Sequence, residues 1–139
     1  MRIGRIILGG TLSGILLGMY LGFFEWFSGK KVYTLLLNVD FIPYIGNSPD
    51  FLLWLYHLII SWGICLLFVV LISVRKLAGI YKFLLAITIS GVAMLSYFPL
   101  TLLALRPTPT VYDIESIIYW VSGHFLYGCL LYVFYRNEH

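Results

Sequence analysis

Glu25, His57 and His124 are the residues whose types and surroundings could carry chemistry in this chain. Each is an ionisable group inside or at the end of a long apolar run, where a charge is costly and tends to face other helices or a cavity. Histidine changes its charge near neutral pH and can move protons, which suits a pH-sensitive site or an acid–base pair. Tyr127, three residues after His124, and Trp120, four before it, share its helical face, as Ser61 shares that of His57. The candidate set is therefore Glu25, His57, His124 and Tyr127, lining one polar vestibule. A plainer reading stands beside it: Glu25 is shallow enough to snorkel towards Lys30 or Lys31, and His57 can tie helices together through a backbone or hydroxyl group.

The elements that must hold these residues follow from composition. The chain has 139 residues, 61% hydrophobic and 11% charged, against roughly a quarter charged in ordinary soluble domains. A water-soluble domain this small would need far more polar side chains to cover itself, so the lipid bilayer is its expected solvent. Residues 6–24, 51–74, 83–105 and 116–135 contain no Asp, Glu, Lys or Arg. Each run is long enough to cross a hydrocarbon core of about 30 Å at about 1.5 Å per residue. The expectation is an all-α, integral membrane four-helix bundle forming a single membrane domain over residues 1–139. Its spans are predicted at about 3–27, 51–74, 80–103 and 114–135, with loops 28–50 and 104–113 at one end and 75–79 at the other. Asp50 and Asp113 are expected as helix N-caps, and Pro99 is expected to kink or fray the third span.

Orientation comes from the basic residues. Arg2, Arg5, Arg75, Lys76, Lys82 and Arg136 lie on the side of the termini, against Lys30, Lys31 and Arg106 on the other. The positive-inside rule then puts both termini in the cytoplasm. Arg2 and Arg5 precede an apolar run that lacks a small-residue cleavage site, which reads as an uncleaved signal anchor. By helical rise, His57 lies roughly 10 Å and His124 roughly 16 Å below the outer surface.

Gly10, Gly14, Gly18 and Gly22 recur every four residues in the first span. They make a flat stripe on which another helix backbone can come close, and lipid offers no hydrophobic drive to replace such packing. The partner is either another span or another copy of the chain. In the 28–50 loop, Val32, Leu35, Leu36 and Val39 follow a helical period too short to span. A short amphipathic helix is expected in the headgroup region, with Phe41, Ile42, Tyr44 and Ile45 dipping inward; the sharper alternative is a structured loop that faces a substrate.

Other chemistries have less to stand on. Two histidines without a neighbouring carboxylate pair fall short of a zinc site, and their unequal depths argue against ligating one haem, so no metal and no cofactor are expected. Cys65 and Cys129 lie at similar depth but belong to no C-x-x-C pair. The basic residues flank spans, so no nucleic-acid partner is expected.

The last quarter of the chain carries a Pro-rich loop, Asp113, and then Trp120, Gly123, His124, Tyr127 and Gly128 within a terminal span. This pattern resembles small, uncharacterised bacterial membrane proteins of the YqhR and YagU type. The resemblance implies a polytopic bacterial membrane protein and brings no reaction or catalytic residue with it. The first functional expectation is therefore a non-enzymatic packing or accessory module, associating through the glycine-rich first helix as a homo-oligomer or within a larger membrane complex. The second is a small transporter or channel with an outward-facing polar vestibule. A third is an enzyme on a lipid-soluble substrate with the histidines as acid and base.

Overall fold

A computed structural model describes residues 3–137. It is all-helical: α1 Ile3–Ser28, α2 Val32–Leu36, α3 Asp50–Val74, α4 Ile80–Met94, α5 Tyr97–Leu103 and α6 Ile114–Tyr135, with no strand among the described residues. Four helical stretches are long and apolar enough to cross a membrane, Ile3–Ser28, Asp50–Val74, Ile80–Leu103 and Ile114–Tyr135. Arg2 and the C-terminal Glu138 and His139 lie outside the described residues. The Tyr135 hydroxyl donates to the Arg5 carbonyl at 2.8 Å, and Lys30 Nζ meets Asp113 at 2.8 Å. Those two contacts fix opposite ends of the bundle, a terminal end and a loop end.

α1 packs on both α3 and α6, α4 packs on α6, and α3 barely touches α4. The glycines set these approaches. A Cβ on Gly10 would lie 2.7 Å from the Trp62 side chain and 3.2 Å from the Trp62 Cα, and one on Gly14 would lie 3.1 Å from Leu58 and Ser61. Gly18 faces Trp54, whereas Gly22 has drifted round to Tyr33 of α2. The glycine stripe is thus filled within the chain, chiefly by α3. Gly123 seats α6 against Leu17 and Leu21 of α1, and Gly128 seats it against α4. Ser90 of α4 adds a hydrogen bond to the His124 carbonyl.

Local signals were realised with two shifts. Asp113 caps α6 by accepting from Ser116 N at 3.2 Å. Asp50 is not a cap: Pro49, extended at ψ 158°, holds that position with no side-chain hydrogen bond, and Asp50 sits in the first turn, where its charge meets the helix N-terminus. The third span breaks upstream of its proline, at Leu95–Ser96, because Pro99 has no N–H for the Leu95 carbonyl and its ring crowds that turn. The break frees the Met94 carbonyl, and Trp120 Nε1 donates to it at 2.9 Å, which is how an interrupted helix stays satisfied away from water.

Candidate functional site

The site begins with two α3 side chains that reach across to glycine carbonyls of α1. Ser61 Oγ donates to the Gly10 oxygen at 2.7 Å, and His57 Nε2 lies 3.0 Å from the Gly14 oxygen. Without a Cβ at these glycines the two backbones come close enough for both bonds. A carbonyl only accepts, so the His57 proton must be on Nε2, and the neutral ring leaves Nδ1 as an acceptor. His124 is fixed in the opposite sense. Its Nδ1 lies 2.9 Å from the Trp120 carbonyl one turn back, so Nδ1 carries the proton and Nε2 is the acceptor. The Trp120 ring stands over it with centroids 4.7 Å apart.

Both rings line one cavity of about 330 Å³. Its floor is α6, through Trp120, His124 and Tyr127; α3 forms one wall, and Ala93, Ser96 and Leu100 of the α4–α5 region form the other. His57 is 9% and His124 5% exposed. Among the described residues neither ring's second nitrogen has a protein partner, and neither is sealed in dry packing, so both give onto the cavity. Tyr127 lies beside them. The Ser61 hydroxyl hydrogen goes to Gly10, so the Tyr127 hydroxyl is the donor of their 2.8 Å contact. On the terminal side of this network Cys65, Phe68, Leu131 and Tyr135 are fully packed, so the cavity is blind there.

The roof is the segment after α2. Leu36, Leu37, Asn38, Val39, Phe41 and Ile42 all line the cavity, which matches a structured loop facing a site more closely than a helix lying apart from the bundle. The regular helix stops at Leu36, five residues long, and the backbone then turns across the bundle. Asp40 pins it. Its carboxylate accepts from Leu105 N at 3.0 Å, Arg106 N at 2.7 Å and Asn38 Nδ2 at 3.0 Å, with Arg106 Nε at 3.8 Å. Arg106 also donates to the Gly46 carbonyl at 3.2 Å. Gly46 is required here, since a Cβ would lie 2.7 Å from the Asp40 backbone. Burial pushes the Asp40 carboxyl up, but the backbone N–H groups of Leu105 and Arg106, with Asn38 and the Arg106 charge, outweigh it and hold the carboxyl below its ordinary range.

Of the four candidate residues, the fold brings His57, His124 and Tyr127 together and leaves Glu25 elsewhere. Glu25 accepts from Thr34 N and Thr34 Oγ1, both at 2.8 Å, and pairs with Lys31 at 3.3 Å. It caps the start of α2 and so anchors the roof. Ser96, Asn38 and Asp40 complete the site and were not singled out as its members, and Ser61, noted only as sharing the face of His57, belongs to it too; the charge of Asp40 between Val39 and Phe41 was the available signal. The vestibule is also less polar than expected, because its walls are mostly aliphatic. Cys65 and Cys129 are free thiols. Among the described residues, no three His, Cys, Asp or Glu side chains gather closely enough to hold a metal ion. No protein-family model matches the chain, and no curated protein and no solved structure matches it.

Proposed function

We propose that this chain is a multi-pass protein of the bacterial plasma membrane, with both termini in the cytoplasm, that takes a small molecule into the roofed cavity as a transporter or ligand-binding subunit. The observation that carries this reading is the convergence of His57 and His124 on one cavity. Its volume lies at the lower end of small-molecule sites, and a mainly apolar wall with a few convergent polar atoms is their usual construction. A continuously open channel is a poorer fit, since the cavity is blind towards the terminal end. A packing module joined to partners through the first helix also has less support, because Gly10, Gly14 and Gly18 already face α3.

The test is access. In vesicles holding the full chain, with Cys65 and Cys129 replaced by Ala, a Ser96→Cys thiol should react with a small thiol reagent, and Ala93→Leu should slow that reaction at least tenfold. A Ser96→Cys thiol that is inert from both sides of the bilayer would overturn the reading. If it reacts from the cytoplasmic face of the membrane, the proposed orientation fails.

A further inference from the structure

The hydrogen bonds at the deep end of the cavity leave an unusual inventory. His57 gives its proton to Gly14, His124 gives its proton to Trp120, Ser61 gives its hydrogen to Gly10, and Tyr127 gives its hydrogen to Ser61. Each donor is engaged with the protein, and what faces the cavity is a pair of imidazole lone pairs beside a phenol oxygen that can only accept. The remaining donors lie nearer the loop end. Asn38 is in the roof, the Tyr56 hydroxyl shares a hydrogen bond with Ser48 of the loop at 3.2 Å, and Ser96 is at the level of Trp120, a turn away from His124, since Trp120 bonds Met94 just before it. Among the described residues no Asp, Glu, Lys or Arg lines the cavity. Of the lining residues only Ile42 and Ile60 are exposed, so the rim is apolar.

We propose, resting on the reading of this cavity as a binding site, that its ligand is a neutral, lipid-soluble molecule that presents a hydroxyl hydrogen to His57 and His124. An anion such as a fatty acid carboxylate or a phosphate would set its lone pairs against theirs, with no cationic side chain lining the cavity to balance its charge. A cation would find acceptors but no counter-charge, and an unpaired charge in an apolar cavity is strongly disfavoured. A ligand that only accepts, such as an ether or ester, leaves both imidazole nitrogens unpaired. A hydroxyl-bearing apolar molecule satisfies the nitrogens and fills the aliphatic remainder.

The test uses four photoreactive diazirine probes on one eight-carbon chain, an alcohol, its methyl ether, a carboxylate and an ammonium, at equal membrane concentration in vesicles holding the full chain. The alcohol should label α3 and α6 peptides around His57 and Trp120 at least fivefold more than each of the others. His124→Phe and His57→Phe keep a ring but no acceptor; each should lower alcohol labelling about fivefold and leave ether labelling unchanged. Should either variant fail to fold, alcohol against ether on the unaltered protein decides alone. Equal labelling by alcohol and ether, or a preference for the carboxylate or ammonium, overturns the donor rule while the cavity remains a binding site. If no probe labels the cavity peptides, the binding-site reading itself falls.

Discussion

On one side α3 meets α1 nearly backbone to backbone, with Gly10 and Gly14 accepting hydrogen bonds from Ser61 and His57; on the other it stands off from α4 and leaves a cavity of about 330 Å³. Small residues are present on both seams, glycines on α1 and Ala93 and Ser96 across the cavity. Small side chains therefore do not by themselves bring helices together. What differs is the reach of His57, Ser61 and Trp62 on α3, whose donors turn towards α1, and the break at Leu95–Ser96, which turns the far wall into two short pieces. α3 is thereby anchored to α1 through its hydrogens, and at the deep end of the cavity its His57 offers a ligand only a lone pair.

The contrast can be broken most severely at its tight side. Gly10→Leu places a side chain against Trp62 backbone atoms that cannot turn away, so the seam opens and the thermal unfolding midpoint collapses, by 3 kcal/mol or more at about the upper limit of overpacking penalties. A comparable enlargement at the loose side, Ala93→Leu, enters empty space. It should shift unfolding by less than about 1 kcal/mol yet abolish alcohol labelling of the cavity. Equal stability losses in the two variants would erase the distinction between the seams.

Smaller effects probe the roof. Asp40→Asn loses the charge that receives Leu105 and Arg106, and should cost about 1–3 kcal/mol, read as faster hydrogen exchange across 36–46 with little change in α1. Because the Asp40 carboxyl is held below its ordinary value, its contribution is complete above about pH 3.9 and is lost as the pH falls through the lowered value. Exchange of the roof, corrected for intrinsic rate, should therefore accelerate under acid before the α1–α3 seam loosens, and Asp40→Asn should remove that difference. Smaller again is Asp113→Ala, which deletes the α6 cap at a cost of about 1 kcal/mol in thermal unfolding. The Lys30 hydrogen bond, with the Ser116 N–H, keeps the Asp113 carboxyl low against some burial, so this term too is present at neutral pH and fades in acid.

Much of this architecture was legible in the residues. Charge-free runs drew the four spans, and four glycines in register marked a close-packing face, because both signals are periodic and local. His57, His124 and Tyr127 stood out because a polar group in an apolar helix has few reasons to be there. Whether they met was not legible, since that depends on which helices are neighbours. Nor was the choice of partner for the glycine face, which α3 takes with His57 and Ser61 bonding the carbonyls of Gly14 and Gly10. Glu25 misled for a related reason: its Thr34 partner is nine residues away across a turn, and helical spacing within one span says nothing about it. The roof was half visible. Its apolar period predicted a helix, but the turn at Leu37 that carries it over the cavity is held by Asp40 and the residues after α5, a contact across 65 positions.

The central claim is that the two histidines are held in opposite tautomers with their acceptor nitrogens turned to one cavity. Nitrogen-15 NMR of histidine-labelled protein in vesicles at neutral pH, assigned with His57→Phe and His124→Phe, reads this directly. The account predicts a proton on Nε2 of His57 and on Nδ1 of His124, with the resonances of His57 Nδ1 and His124 Nε2 both shifting when the eight-carbon alcohol is added. The same tautomer at both sites, or two signals that ignore the alcohol, would contradict it.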